Sequence, residues 1–434
     1  MASISSYSSS LFSTILLLSF FLNAFAHGTP PTTEPIQKHR VALVLPVINS
    51  FKEKIVDPKA MTRTWIGNDA CNNFTGIECE IIPDSRLQVV AGVRLNDFSL
   101  VGRGGQLSLK GFLDSFPDIY YFYAHSNNFT GTIPKINTEI LPYLSDLDLS
   151  NNKLSGPFPT EIISATYLRF LDLRFNKFYG AIPPELFNLD LEIILLNNNN
   201  FGQQLPSNVG STSALLFSVA NNKLTGPIPQ SIGLATHLVE LVLLNNQLTG
   251  CLPPGIGLLK NLTLFDARGN KLTGPIPNSF SYSGKMETFN VNSNSLFGTI
   301  PEALCKMKNL TTLSVSNNYF TRVGPECRKL IPKGVLKIDQ NCVLGLPNQK
   351  SKAECDKFLS LPNKCPDVSF GNSKVMTVNL NKTNGPFNKL FVRKAYSNAM
   401  IRNSKVVKLN DQRGVGSVAT RFTAYDALDA HKSV

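Results

Sequence analysis

Residues 144–156 and 168–180 read LSDLDLSNNKLSG and LRFLDLRFNKFYG, two copies of one frame of alternating leucines that ends in an asparagine and a glycine. The frame recurs along the middle of the chain, with its asparagine at Asn127, Asn152, Asn176, Asn199, Asn222, Asn246, Asn270, Asn294 and Asn318. An irregular first copy, 90–102, has Phe98 in place of the asparagine. Successive asparagines are 23 to 25 residues apart. A repeat of that length indicates similar structural units stacked in tandem.

The frame is typical of a leucine-rich repeat. Its L-x-L pattern places alternate side chains of a short strand in the core and the intervening ones outside. Stacked strands form a parallel sheet on the concave side, and each asparagine amide is expected to satisfy backbone groups in a dry core. The sequence therefore predicts an α/β repeat solenoid: a right-handed, curved leucine-rich repeat superhelix of about ten repeats, with disulfide-stapled caps at both ends.

A solenoid exposes its core at both ends, so the flanking residues are expected to form caps. The spacing of Val41, Leu43, Val47, Phe51 and Ile55 predicts an amphipathic helix over residues 41–57. The expected organisation is a signal peptide (1–26), an N-terminal cap with this helix and a Cys pair (27–83), leucine-rich repeats (84–325), a Cys-rich C-terminal cap (326–365), and a basic tail (366–434).

Eight cysteines in an exported chain indicate disulfides, because their spacings do not form the paired C-x-x-C of a zinc site. Seven are assigned as staples of the caps: Cys71, Cys79, Cys305, Cys327, Cys342, Cys355 and Cys365. The eighth, Cys251, lies among the repeats. Three alternatives stay open for it: a free thiol, a bridge to a C-terminal cysteine, or a bond to a second chain in a homodimer.

Export is expected from residues 1–26, which carry no charged side chain and end in Ala-Phe-Ala, a small-x-small cleavage site. No later stretch is apolar for long enough to span a membrane. The mature protein is therefore expected to be secreted into the extracellular space. Glycosylation sequons predict modified surface asparagines at Asn73, Asn128, Asn261, Asn309 and Asn381.

The formal net charge is +12, from 42 Lys and Arg against 30 Asp and Glu. Residues 366–434 hold 11 Lys and Arg against 4 Asp, which is +7 and leaves +5 for the rest of the chain. Because the excess lies in the tail, no nucleic-acid partner is expected. The tail itself has three readings: a disordered extension, an electrostatic attachment to acidic pectin, or an artefact of the gene model.

From about residue 41 to 365 the chain resembles the repeat domain of plant leucine-rich repeat extensins. The resemblance is most specific in the caps, at 57–58, 64–71 and 75–79 on one side and at 341–342, Cys355 and 358–365 on the other. No Ser-Pro-Pro-Pro tract follows Cys365, so the extensin module is expected to be absent, and Pro227 stands where a cysteine partner of Cys251 would be expected. The resemblance implies a cell-wall protein that binds small, basic, Cys-rich peptides of the rapid alkalinization factor type.

The sequence does not predict an enzyme. It contains no H-E-x-x-H, G-x-S-x-G or phosphate-loop motif. Of its five histidines, His27, His39, His125, His237 and His431, only His125 falls on the predicted concave sheet. No cofactor and no metal site are expected.

A binding surface is easier to derive, since the frame identifies the side chains that point outward from the concave sheet. The predicted peptide-binding residues are Tyr121, Tyr123, Asp146, Asp148, Arg169, Asp172, Arg174, Glu192, Leu195, Glu240, Val242 and Asp266. With Glu287 and Arg268, the outward positions hold seven acidic and three basic side chains, a balance of −4. Many are apolar, which predicts an exposed apolar patch, although lateral packing is an even alternative for Leu215 and Leu216.

The leading hypothesis is a secreted cell-wall protein that binds a basic, Cys-rich signalling peptide in wall growth and integrity signalling. The alternative is an inhibitor of secreted hydrolases that resembles polygalacturonase-inhibiting proteins, which share this repeat subclass. A fragment of a receptor ectodomain is a third, less favoured class.

Overall fold

A computed structural model of the chain describes residues 33–81, 87–136, 139–362 and Cys365, so the predicted signal peptide and basic tail lie outside these residues, as does Asn381. The described strands are β1 (Ile55–Val56), β2 (Ile77–Ile81), β3 (Gln88–Arg94), β4 (Val101–Gly102), β5 (Tyr121–Tyr123), β6 (Thr130–Gly131), β7 (Asp146–Asp148), β8 (Lys153–Pro157), β9 (Phe170–Asp172), β10 (Lys177–Gly180), β11 (Ile193–Leu195), β12 (Asn200–Phe201), β13 (Leu216–Ser218), β14 (Thr225–Pro227), β15 (Glu240–Val242), β16 (Gln247–Cys251), β17 (Leu264–Asp266), β18 (Lys271–Gly274), β19 (Thr288–Asn290), β20 (Ser295–Thr299), β21 (Thr312–Ser314), β22 (Tyr319–Arg322) and β23 (Leu336–Lys337).

The described α-helices are α1 (Thr33–Lys54), α2 (Ala70–Asn73), α3 (Glu302–Cys305), α4 (Pro325–Arg328) and α5 (Lys352–Leu359). Short 3-10 helices complete most repeats, at Met61–Thr64, Leu113–Ser115, Thr160–Ser164, Pro184–Asn188, Val209–Ser211, Gln230–Leu234, Pro254–Leu258 and Asn278–Tyr282.

A twelve-stranded main sheet runs along the repeats in the order β2-β3-β5-β7-β9-β11-β13-β15-β17-β19-β21-β23. From β3 onward each strand pairs in parallel with the equivalent strand of the next repeat, as Leu147 with Leu171 and Asp148 with Asp172. Two flanking parallel sheets, β12-β10-β8-β6 and β14-β16-β18-β20-β22, hold the second strands of the repeats. Identical units thus stack one per turn, which confirms the predicted solenoid.

The core is a continuous stack of leucines and phenylalanines, in which Leu147 is fully buried. Asn152 stands at its edge: its side-chain oxygen accepts a hydrogen bond from the Phe129 N–H (3.0 Å), and its amide nitrogen donates to the Ala124 carbonyl (2.9 Å). The asparagines at the equivalent position of the other repeats also accept a hydrogen bond from a backbone N–H of the preceding repeat. This confirms that the asparagines satisfy backbone groups that would otherwise be buried unpaired.

One further asparagine follows the same rule and is not among those the frame identified. Asn341 is fully buried, accepts from the Phe320 N–H (3.0 Å) and donates to the Val315 carbonyl (3.0 Å). It lies 23 residues after Asn318, so the repeat period alone was sufficient to find it. The main sheet accordingly continues to β23, within the segment that the sequence assigns to the C-terminal cap.

The N-terminal cap is built on α1, whose buried side chains include Val44, Ile48 and Phe51. These residues are four and three positions apart and therefore lie on one helical face. The prediction that Leu43 belongs to this face is wrong: its side chain is 55% exposed, because it lies about 100° around the helix from Val44. The helix also ends before Ile55, which lies in β1 and pairs antiparallel with β4.

All eight cysteines form disulfides, in the pairs Cys71–Cys79, Cys251–Cys365, Cys305–Cys327 and Cys342–Cys355. The first bridge joins α2 to β2 in the N-terminal cap. The last joins the final turn of the solenoid to α5. Of the three alternatives for Cys251, the structure adopts the bridge to a C-terminal cysteine.

Candidate functional site

We call the concave face the side of the main sheet that points away from the leucine core. Strand register places Tyr121 beside Asp146, and Tyr123 beside Asp148. The predicted binding residues within strands share this face: Tyr121, Tyr123, Asp146, Asp148, Asp172, Leu195, Glu240, Val242 and Asp266. Arg169, Arg174 and Glu192 lie next to these strands. The frame thus brings all twelve to one surface, although their role in binding stays a prediction.

An aromatic and charged cluster occupies the N-terminal end of the concave face. The Arg94 guanidinium lies 5.1 Å from the ring centres of both Tyr121 and Tyr123, whose rings stack at 5.1 Å. Its Nε donates to Glu78 (2.7 Å), which also accepts the Tyr121 hydroxyl. The Tyr123 hydroxyl donates to Asp146 (2.6 Å). The five side chains form one connected network, in which the carboxylates of Glu78 and Asp146 hold the cation–π stack in place.

Sequence reasoning named the two tyrosines and Asp146 but missed Arg94 and Glu78. Arg94 lies in β3, in the irregular first copy of the frame, so extending the frame to that copy would have found it. Glu78 lies in β2, which pairs antiparallel with β3 and belongs to no repeat, so the frame carries no signal for it. Together they add one acidic and one basic side chain and leave the charge balance of the face unchanged.

Gly92 makes this cluster possible. A Cβ at this position would lie 2.0 Å from Cζ of Tyr121, which is far inside van der Waals contact. The Tyr121 ring therefore lies directly over the backbone of β3, where only a glycine leaves it room.

The central carboxylates are buried, and most have partners. Asp172 is fully buried and accepts from the backbone N–H and Nε of Arg174, each at 3.0 Å. Burial raises the pKa of Asp172 to about 6, with Asp148 adding to the rise and Arg174 opposing it. Burial likewise raises the pKa of Asp146, against the hydrogen bonds from Tyr123 and Ser145. Of the seven acidic side chains that the sequence places outward, Asp146, Asp172, Glu240 and Asp266 are therefore sheltered from solvent.

Asp266 repeats this arrangement two-thirds of the way along the face. It is fully buried, lies 3.7 Å from Nε of Arg268, and accepts from the amide of Asn290 (3.2 Å). Neighbours on the same face therefore hold the charge at both positions in place.

The middle of the concave face is an apolar cluster, separate from the main core. Its members are Ile193, Leu195, Leu216, Ala220, Val242, Leu244 and Leu264, with Phe170 against them. The expectation of an exposed apolar patch is wrong for these residues, because each is at most 6% exposed. Of the two residues for which lateral packing was an even alternative, Leu216 is buried at 5% and Leu215 is 42% exposed.

A rim of more accessible side chains runs along the edge where the chain enters each strand. Arg169 pairs there with Asp190, and its guanidinium also donates to the Asp190 carbonyl (2.8 Å). Glu192 and Glu287 are half-buried on the same rim, with the exposed Leu215 between them along the chain. This rim is the part of the predicted site that solvent reaches.

Nothing in the described part of the chain resembles a metal centre: no group of three His, Cys, Asp or Glu side chains is arranged to hold an ion. His125 lies 3.6 Å from Asp97, and its Nδ1 is 3.1 Å from the Ser126 hydroxyl.

Over the same described residues, no helix is long and apolar enough to cross a membrane.

Comparison with known proteins agrees with the repeat frame. The Leucine Rich Repeat family model matches residues 143–164, 167–189 and 261–283. Over 189 residues the chain is 39% identical to leucine-rich repeat extensin-like protein 2 of Arabidopsis thaliana, which covers 43% of this chain and 23% of that protein. It is 38% identical over 187 residues to leucine-rich repeat extensin-like protein 4 of the same plant. The matched region covers 43% of this chain and 36% of that protein.

The repeat region is similar to that of leucine-rich repeat extensin-like proteins of Arabidopsis thaliana. The matched region spans only about a quarter to a third of the length of these relatives, at 23% and 36%. Together with the four disulfides, these relatives point to an extracellular location.

Solved structures show the same fold. The ectodomain of the Arabidopsis thaliana receptor kinase GASSHO1/SCHENGEN3, in complex with CASPARIAN STRIP INTEGRITY FACTOR 2, has a TM-score of 0.56 at 24% identity, and covers 69% of this chain and 38% of its own. A plant ice-binding protein has a TM-score of 0.58 at 23% identity, with coverages of 71% and 98%. The Arabidopsis receptor kinase HAESA, in complex with the peptide hormone IDA and the co-receptor SERK1, has a TM-score of 0.50 at 25% identity, with coverages of 68% and 61%.

Proposed function

We propose that this protein binds a basic secreted peptide along the concave face and acts by binding instead of by catalysis. The observation that carries the proposal is the charge of that face, where seven carboxylates accompany three basic side chains in a chain whose total charge is +12. The acidic set is Asp146, Asp148, Asp172, Glu192, Glu240, Asp266 and Glu287. Such a face attracts cationic ligands and repels anionic ones.

The rim and the centre of the face would contribute differently. Glu192 and Glu287 are half-buried and meet a ligand first, which affects mainly the association rate. Leu215, which is 42% exposed above the buried apolar cluster, offers an apolar contact for ligand side chains, and such contacts usually supply much of the affinity. A peptide that combines Lys or Arg with apolar residues fits both parts.

The relatives narrow the class of ligand. HAESA, whose solved structure contains a peptide hormone, has the same fold at 25% identity and is consistent with a peptide partner. The similarity to leucine-rich repeat extensins favours the cell wall as the location and rapid alkalinization factor-type peptides as the ligands. The role that follows is in wall growth and integrity signalling.

Isothermal titration calorimetry with a purified rapid alkalinization factor peptide tests the proposal. The informative variant is Glu192→Lys combined with Glu287→Lys, because both side chains are accessible and neither lies in the core. We expect the affinity to fall at least tenfold. The matched control is Glu161→Lys with Glu185→Lys, which makes the same charge change on 3-10 helices outside the main sheet and should leave the affinity within twofold.

Two results would count against the proposal. The first is that calorimetry detects no heat of binding for any basic, Cys-rich peptide of this type at micromolar concentration. The other is an equal loss of affinity in both double variants, because that would show a dependence on net charge alone and not on the concave face.

A further inference from the structure

The disulfide between Cys251 and Cys365 determines where residues 366–434 start. Cys251 ends β16, the second strand of the five-stranded flanking sheet, so the bridge holds Cys365 beside the repeats and not at the end of the solenoid. The bridge is tightly seated: a Cβ on Gly274 would lie 2.2 Å from the Cys365 sulfur. The basic segment therefore begins beside the repeats that carry the central part of the concave face.

The distance from this point to the concave face is short. Val242, on the concave face, precedes Cys251 by nine residues, so the two are at most about 32 Å apart even along a fully extended chain. About ten extended residues are sufficient to cover this distance. The segment after Cys365 has 69 residues, and only their sequence enters the argument, since they lie outside the described part of the chain.

The sequence of this segment complements the concave face in charge and in apolar character. Residues 366–434 carry 11 Lys and Arg against 4 Asp, whereas the face has a balance of −4. Residues 389–408 alone hold six cations and no acidic residue, with apolar side chains between them. The six are Lys389, Arg393, Lys394, Arg402, Lys405 and Lys408.

The concave face has the properties of a covered surface. Leu195, Val242, Asp172 and Asp266 all point away from the core, yet they are 0% exposed. In a pleated sheet such side chains project from the strands toward the groove. Asn197 is also 0% exposed, and among the described residues neither its amide nitrogen nor its amide oxygen has a hydrogen-bond partner. A peptide segment on this face supplies both a backbone N–H and a C=O to such an amide.

We propose that residues 366–434 bind the concave face of their own chain and compete there with the external basic peptide. The competition rests on the proposed function, whereas binding of the segment itself does not. Tethering gives an effective concentration of about 1 mM. An intrinsic Kd of about 100 µM then leaves the face about nine-tenths occupied and weakens an external ligand about tenfold.

The test uses the full chain and one defined probe, a synthetic peptide of residues 389–408. In the test variant the six cations of 389–408 are changed to Gln. The control changes six exposed lysines of the solenoid to Gln: Lys153, Lys177, Lys223, Lys271, Lys308 and Lys333. We expect the probe to bind the test variant at least tenfold more tightly than the wild type or the control. Amide hydrogen exchange in residues 193–218 should also be faster in the test variant alone.

Equal affinity of the probe for all three proteins, with unchanged exchange, would overturn the proposal. Concentration-dependent dimers of the wild type that dissociate in the test variant would overturn it as well, since the occupant would then be a second copy. Slow amide exchange in residues 193–218 that persists in the test variant would also overturn it, because another segment would then cover the concave face. If the probe behaves as expected while no rapid alkalinization factor peptide binds either variant, the proposed function fails and self-binding stands.

Discussion

Asp172 illustrates how burial changes the meaning of a charged residue in the sequence. The frame places it correctly on the concave face, because strand alternation is fixed by the L-x-L pattern. The frame does not reveal that Arg174, two residues later, pairs with it at 2.8 Å, or that the carboxyl is fully buried. The full burial follows from the packing of adjacent repeats, whereas the ion pair joins two side chains of one repeat and depends on their rotamers, which the frame does not specify.

The raised pKa of Asp172 gives a pH-dependent stability with a definite sign. The pKa rises from 3.8 to about 6 on folding, so the folded protein holds more protons than the unfolded one between these values. The contribution of this group to stability is therefore present below pH 4 and is lost as the pH rises through 6. We expect the free energy of unfolding of Asp172→Asn, relative to wild type, to increase by about 1–3 kcal/mol from pH 4 to pH 7.

Urea unfolding of both proteins across this pH range provides the measurement. The absolute stability of the variant also reflects the altered contact with Arg174, so the change with pH is the informative quantity. A constant difference between the two proteins from pH 4 to pH 7 would show that Asp172 titrates normally.

At the scale of elements, α1 shows that apolar periodicity can predict a helix without predicting which of its faces is buried. The helical spacing of apolar residues correctly predicted a cap helix, but its phase was wrong. Leu43 was included and Val44 and Ile48 were not, because several apolar residues stand next to one another at 41–48. Only contact with the first repeat decides which of them face the core.

Alanine substitutions along α1 test this phase. Ile48 is fully buried, so Ile48→Ala should lower the free energy of unfolding by about 2–4 kcal/mol through lost packing and the cavity it leaves. Leu43→Ala removes a similar volume from a side chain that is 55% exposed, and should change stability by less than about 0.5 kcal/mol. Thermal unfolding of the two variants measures the contrast, and equal losses would contradict the orientation of the helix.

At the scale of the molecule, the sequence predicted the solenoid except for its last turn around Asn341, because a 23–25-residue period and an L-x-L strand leave few alternatives. It predicted the membership of the concave face but not its exposure. Exposure depends on how closely neighbouring repeats approach and on what packs against them, and neither quantity is encoded in one frame. Glu78 was missed because its position comes from the junction of cap and repeats, whereas Arg94 lies in the irregular first copy, to which the frame was not extended.

The disulfide between Cys251 and Cys365 should stabilise the whole solenoid, because it closes a loop with a sequence separation of 114 residues. Changing both cysteines to Ser is expected to lower the free energy of unfolding by as much as about 4–5 kcal/mol. Calorimetric unfolding of the double variant measures the loss. A titratable thiol in the native wild type, or a disulfide-linked dimer on a non-reducing gel, would contradict this pairing.

The central claim, that the concave face binds a basic peptide, is tested most directly by amide hydrogen exchange at saturating rapid alkalinization factor peptide, in the variant whose six cations of 389–408 are Gln, so that residues 366–434 leave the face open. The account predicts slower exchange in the segments that carry concave strands, from β7 to β17. It also predicts no change in the 3-10 helices Gln230–Leu234 and Pro254–Leu258, outside the main sheet. Slowing confined to those helices or to the flanking sheets, or no slowing anywhere at saturation, would contradict it.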